Sequence, residues 1–219
     1  GYPVKTIDCG KTWKRIDAYD VNAYGAAYKI VANYNNPNQL LIGAYADIFI
    51  SNDGGKSFKL IRHASNLGAG IVICGVFWDG NDIYIATNEW IFYSDDGGLG
   101  FSVLTTTGMK SGQQIWSFAG AKEAGKIRFA CIAANSVYNG IMPWDYNGVG
   151  EAVYVMDNAD RNWIDKSAGI SFLFDNIMYV AMATNDVDKI YIGGNDGLEN
   201  GPMVLRSENG GDTWVKSFN

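Results

Sequence analysis

Read residue by residue, the chain alternates between short apolar runs and clusters of Gly, Asn and Asp. No stretch of useful length carries the 3.6-residue period of an amphipathic helix. The apolar runs read as strands, rich in Ile, Val, Phe and Tyr and closed at each end by turn formers. Ala27 to Asn33, Leu40 to Ala44, Ile48 to Ser51 and Phe58 to Arg62 form one group of four. Ile71 to Trp78, Ile83 to Thr87, Ile91 to Ser94 and Phe101 to Thr105 form a second. The third is Gln114 to Ala119, Ile127 to Ala134, Ala152 to Met156 and Trp163 to Lys166. Asn176 to Ala183, Lys189 to Gly193, Met203 to Ser207 and Trp214 to Phe218 complete a fourth.

Between the third and fourth strands of these groups one octapeptide recurs. Ser51-Asn52-Asp53-Gly54-Gly55-Lys56-Ser57-Phe58 is its clearest form, followed by Ser94 to Phe101 and Ser207 to Trp214. Thr6 to Trp13 fits with Cys9 in place of the first glycine, and Met156 to Trp163 is a decayed copy. The first residues fall at 6, 51, 94, 156 and 207, a spacing of 43 to 62 residues. Such a period marks a propeller or solenoid. Chemically the octapeptide is a locked turn: the Asp accepts backbone N–H bonds while the glycines supply positive φ. Four antiparallel strands per repeat predict an all-β fold, a β-propeller.

The hydroxyl, carboxylate, Gly-Gly, small residue and aromatic of this octapeptide resemble the Asp-box of the BNR-repeat β-propeller superfamily. In texture the chain is most similar to the xyloglucan-cleaving endo-glucanases and to sortilin-like propellers. The resemblance implies that the box hairpins are structural, on the side of each blade away from the functional face. Sialidase chemistry is disfavoured, because Arg15-Ile16 is followed by Asp17 where a sialidase needs Arg-Ile-Pro. The first catalytic Asp of the endo-glucanases follows the second strand of a blade, a place held here by Asp47-Ile48, which continues Phe49-Ile50.

Strand counting predicts a half blade at 1–16 and blades at about 24–62, 67–105, 113–167 and 171–219 in a single propeller unit. The expectation is therefore part of a larger, seven-bladed ring, completed by further blades or a partner chain. A closed ring of five blades with one thin blade is the alternative. A chain beginning Gly1-Tyr2 is expected to be processed, trimmed or partial.

Blade topology puts the connections between second and third strands on one face, opposite the box turns. Those connections carry Tyr45 and Asp47, Glu89 and Trp90, then the long Asn135 to Glu151 segment with Trp144, Asp145 and Tyr146, then Asp196. Pyranose rings stack on Trp and Tyr while their hydroxyls bond carboxylates, and two carboxylates suffice for glycoside hydrolysis. Asp47 and Asp145 are thus the candidate catalytic pair. Tyr45, Glu89, Trp90, Trp144, Tyr146 and Asp196 are candidate substrate contacts. Each Asp is also a common hairpin-closing residue. A polysaccharide-active propeller of glycoside hydrolase type, binding or cleaving a β-glucan or xyloglucan, stands beside a non-catalytic module for glycan or protein recognition.

Composition narrows the partners. A net charge of -6 disfavours nucleic acid, and no run of about 18 apolar residues is present to span a membrane. Three widely spaced cysteines and the single His63 offer no metal-ligand spacing, so neither metal nor cofactor is expected. An extracellular or cell-surface location is the matching expectation.

Overall fold

The computed structural model describes residues 3–16, 27–33, 35–135, 150–172, 175–198 and 201–218. A two-stranded hairpin comes first, β1 (Val4–Lys5) with β2 (Lys14–Arg15). Four four-stranded antiparallel sheets follow, each paired in chain order. The first holds β3 (Lys29–Ala32), β4 (Leu40–Gly43), β5 (Asp47–Ser51) and β6 (Lys59–His63). The second holds β7 (Ile73–Asp79), β8 (Asp82–Thr87), β9 (Ile91–Ser94) and β10 (Ser102–Val103). The third holds β11 (Gln113–Glu123), β12 (Lys126–Asn135), β13 (Ala152–Asp157) and β14 (Ile164–Asp165), and the fourth β15 (Asp175–Met182), β16 (Ile190–Asp196), β17 (Gly201–Ser207) and β18 (Val215–Phe218).

Successive sheets bury apolar side chains against one another. Leu41, Ile48 and Ile50 of the first pack with Ile71, Ile73 and Ile83 of the second. Phe77 and Tyr84 of the second meet Phe118 and Phe129 of the third, with Phe118 and Phe129 stacked at 5.1 Å. Ala130, Ile132 and Val153 of the third meet Ile177, Ile192 and Leu205 of the fourth. These central strands are buried on both faces, which is why they read as continuous apolar runs rather than alternating ones.

The first strand of each sheet lies innermost. Tyr28 Oη donates to Ile71 O at 2.8 Å and accepts from Ile73 N at 2.8 Å, which joins the start of β3 to β7. The Ser117 hydroxyl on β11 accepts from Val180 N on β15 at 3.1 Å. At Gly75 on β7 a Cβ would fall 2.1 Å from Phe118 O, so only glycine lets β7 and β11 approach this closely. The four inner strands together line an axial cavity of about 570 Å³ whose rim carries the Asp79–Lys122 ion pair, 2.5 Å.

The glycine hairpins close as their sequence requires. Asp53 Oδ1 accepts from Lys56 N, Ser57 N and Ser51 Oγ at 2.8 to 2.9 Å, and Oδ2 accepts from Ser57 Oγ at 2.6 Å. Gly54 and Gly55 have φ of 71° and 82°. Around Asp8, Asp96 and Asn209 the bonds from the leading hydroxyl and from the backbone N–H four residues on recur, while the second hydroxyl donates to Asp8, is absent at Gly100, and accepts from Asn209 Nδ2. In each sheet that keeps both glycines, the second one faces the element before it. A Cβ at Gly55 would meet Ile16 at 3.5 Å, at Gly98 Ile50 at 2.5 Å, and at Gly211 Lys166 at 3.0 Å. At Gly10, among the described residues, only its own hairpin's Trp13 lies within 4 Å.

Several strand ends depart from the sequence reading. β11 and β12 run on to Glu123 and Lys126 because Ala124 and Gly125, both at positive φ (47° and 85°), form a two-residue turn. Asp196 is the last residue of β16, paired with Gly201, instead of lying in the following connection. Asp47 likewise opens β5, leaving only Tyr45 and Ala46 to turn the chain.

Candidate functional site

The connections opposite the glycine hairpins were expected to hold the site, and the geometry of each is specific. Asp47 sits opposite His63 in the β5–β6 register, its side chain 3% exposed. Its carboxylate lies 2.5 Å from His63 Nδ1, while the imidazole is half exposed. Tyr45 turns the chain beside it, donating its hydroxyl to Gly68 O at 2.6 Å, and its ring packs on the backbone at Gly70.

Glu89 is held on two sides. Oε1 accepts from Ser65 N at 2.6 Å and Oε2 from Ser65 Oγ at 2.9 Å, with Arg62 Nη2 at 3.6 Å from Oε2. The Arg62 guanidinium sits 5.7 Å from the Phe92 ring centroid. Next to Glu89, the Thr87 hydroxyl accepts from both Glu89 N and Trp90 N and donates to Trp90 O. That short brace fixes the backbone under Trp90, whose side chain is left largely in solvent, the residue being 54% exposed.

Asp196 accepts from Leu198 N at 2.9 Å and from Lys216 Nζ at 2.6 Å. Asp145, Trp144 and Tyr146 lie outside the described residues.

Glu89 and Trp90 border a groove of about 570 Å³ between the second and third sheets, whose other walls include Thr105, Gln113, Gln114 and Trp163. Tyr45, Asp47 and Asp196 do not line it. Its far wall is tied down before any ligand arrives. Trp163 N donates to Thr107 O at 2.8 Å, Thr107 N to Arg161 O at 3.0 Å, and Tyr154 Oη to Gln113 Oε1 at 2.7 Å. A Cβ at Gly108 would fall 2.2 Å from Trp163 O, which fixes how closely the connection and the third sheet approach. The lining is mainly apolar, with Ile91, Val103, Leu104, Met109 and Ile115 beside the two indoles; amide and hydroxyl groups are interspersed, and among the described residues its one carboxylate, Glu89, is already engaged.

Reading the sequence found only that His63 has no metal-ligand spacing and so missed its pairing with Asp47, and it missed Gln113 and Gln114. The signal for His63 was available: Asp47 and His63 stand nearly symmetrically about Gly54-Gly55, as cross-strand partners of one hairpin must. Among the described residues no group of three His, Cys, Asp or Glu side chains gathers to hold a metal. The thiols of Cys74 and Cys131 are buried, and burial pushes Cys74 up to about 12, so neither is poised as a nucleophile. No described helix is long and apolar enough to cross a membrane.

No sequence family matches the chain, and no curated protein does. Solved structures do. A GH74 xyloglucanase from Xanthomonas campestris superposes with a TM-score of 0.59 at 16% identity over 90% of this chain. The fold is a β-propeller. The four sheets are blades of it, and this chain spans 30% of the xyloglucanase's length. A protein of unknown function from Dyadobacter fermentans matches with a TM-score of 0.55 at 13% identity, covering 97% of this chain and 70% of that one. YCF48, solved with a D1 peptide, matches with a TM-score of 0.54 at 14% identity, covering 98% of this chain and 74% of that one. At such identities the likeness extends to the propeller and no further.

Proposed function

We propose that this propeller binds a neutral glycan chain along the groove at Trp90 and acts as a recognition module without hydrolysing it. One observation carries the reading: Asp47, Glu89 and Asp196 are each engaged by a fixed partner, while Trp90 stands exposed at the edge of a mainly apolar groove. Glycoside hydrolysis needs one carboxyl free to donate a proton and a second to attack or to activate water. Stacking on an indole needs neither, and Gln114 and Thr105 supply the hydrogen bonds that sugar hydroxyls take.

The xyloglucanase among the structural neighbours supports the choice of a β-glucan or xyloglucan type of chain. In this reading Trp144 and Tyr146 extend the platform, Asp145 bonds ligand hydroxyls, and the glycine hairpins are Asp-boxes. Further blades or a partner chain complete the ring, and the glycan places the protein at or outside the cell surface.

Calorimetry against xyloglucan and β-glucan oligosaccharides, run beside a reducing-end assay, tests the proposal. Trp90→Ala is expected to weaken binding by about 1–3 kcal/mol, the scale of losing an aromatic anchor, and Trp144→Ala to do the same. Hydrolysis that disappears in Asp47→Ala or Asp145→Ala would restore the enzymatic reading. Binding of peptides with no binding of any glycan would replace the ligand class.

A further inference from the structure

Three of the four glycine hairpins carry Asp at the turn, and the fourth carries Asn209, directly followed by Gly210. An Asn-Gly pair is the sequence most prone to succinimide chemistry, because glycine leaves its amide nitrogen sterically free to reach the Asn side chain. In the step, Gly210 N attacks Asn209 Cγ, the N–Cγ bond forms, the Cγ–Nδ2 bond breaks, and Nδ2 leaves as ammonia with the proton from Gly210 N. Water then opens the five-membered imide, giving aspartate if it adds at Cγ and isoaspartate if it adds at the main-chain carbonyl. No oxidant or other co-reactant is required.

The hairpin blocks both reacting groups. Gly210 N donates to Asp188 O at 2.9 Å, in the turn between β15 and β16. Gly54 N to Asn38 O (2.8 Å) and Gly97 N to Asn81 O (3.0 Å) are the same bond in the first two blades, so the latch belongs to the fold. On the side-chain side, Asn209 Oδ1 accepts from Ser207 Oγ at 2.9 Å and Thr213 N at 3.0 Å, and Nδ2 donates to Thr213 Oγ1 at 2.9 Å. We propose that Asn209-Gly210 is a deamidation site that the closed hairpin holds inert and that reacts with water when the fourth blade's hairpin unlatches.

The same contacts say which product the fold accepts. An aspartate in this place meets what Asp8 and Asp53 already meet, with the Thr213 hydroxyl turning from acceptor to donor as Thr12 and Ser57 are. Isoaspartate adds a methylene to the main chain between Ser207 and Gly211, and so opposes the 2.8 Å bond from Gly211 N to Ser207 Oγ.

The test incubates folded and urea-unfolded protein side by side at mildly alkaline pH and follows the tryptic peptide Ser207–Lys216 by mass spectrometry. That peptide carries Asn209 alone among the four Asn-Gly pairs, the others being at 139–140, 147–148 and 200–201. Conversion in the folded protein is expected to be at least about tenfold slower than in the unfolded chain, since reaction must await local opening. Thr213→Ala should speed it in the folded state, and Asn209→Asp should fold with a melting temperature no lower than wild type. Equal rates in the two states, an unchanged rate in Thr213→Ala, or a clearly destabilised Asn209→Asp would overturn the assignment.

Discussion

His63 Nδ1 lies 2.5 Å from a carboxylate oxygen of Asp47, joining a half-exposed imidazole to an almost wholly buried acid. The two are cross-strand partners in the β5–β6 ladder, so backbone register alone brings them together. An acid buried to this degree needs a partner to offset its lost hydration. His63→Ala is therefore expected to cost about 1–3 kcal/mol, the scale of stranding a buried acceptor, with exposure of the imidazole favouring the lower end. The double change Asp47→Ala with His63→Ala should cost less than the sum of the two single changes. A denaturant-melt mutant cycle with no coupling would count against this account.

At the glycine hairpins the side-chain oxygen matters more than the charge, because Asn209 Oδ1 accepts from Ser207 Oγ and Thr213 N as Asp53 Oδ1 accepts from Ser51 Oγ and Ser57 N. Asp53→Asn should keep most of the melting temperature, and Asp53→Ala should lower it clearly, since Lys56 N and Ser57 N lose their acceptor. Neither change should alter glycan affinity, the hairpin being on the side of the blade away from the groove. Thermal melts with paired calorimetry would show a failure in either half.

Acid should weaken the same turns. The Thr12 hydroxyl, then the Thr12 N–H, hold Asp8 at about 2, and the Ser57 hydroxyl and N–H hold Asp53 well below the usual carboxylate range. Asp96 is lowered by Gly100 N–H first, then by Ser94. Each folded-state value lies below its unfolded one, so each contribution is fully present above the ordinary carboxylate value and is lost as pH falls through the folded one. Stability should thus decline from about pH 4 down to about pH 2, where Asp8 protonates in the folded state. Melts of Asp53→Asn over that range should decline less steeply; a slope equal to wild type would contradict the assignment.

Gly98 and Gly80 separate backbone conformation from crowding. Both have positive φ (90° and 64°), but a Cβ at Gly98 would lie 2.5 Å from buried Ile50, while at Gly80 nothing among the described residues lies within 4 Å. Gly80→Ala should cost about 1–2 kcal/mol for the left-handed backbone. Gly98→Ala should cost about 1–3 kcal/mol more for overpacking. Equal losses in urea unfolding would mean that the blade contact gives way freely.

Blades and hairpins were legible in the sequence because one local signal, Gly-Gly after a carboxylate or amide, sets the register for the strands on both sides. Strand ends were not. Ala124 carries no turn marker, yet it takes positive φ with Gly125 and so lengthens β11 and β12. β10 and β14 are only two residues each, shorter than the runs read for them, although the equally outermost β6 and β18 keep five and four. At the site, which residues face together could be read, but not their bonds. Ser65 reaches Glu89 from the connection between the first two blades, and no spacing in the chain announces a contact made between blades.

The second glycine of each hairpin, pressed on the element before it, gives the propeller a direction. The first sheet shows both parts, a plug at its Gly-Gly turn, where Gly55 meets Ile16, and a socket, where its Ile50 receives Gly98; Lys166 of the third sheet is the socket for Gly211. A unit built in this way can be copied or excised whole, since only two junctions need remaking and both have the same form. Gene duplication can therefore change the size of such a ring one unit at a time. A change that spoils a plug should loosen the joint with the preceding blade while leaving the blade's own hydrogen-bonded ladder closed.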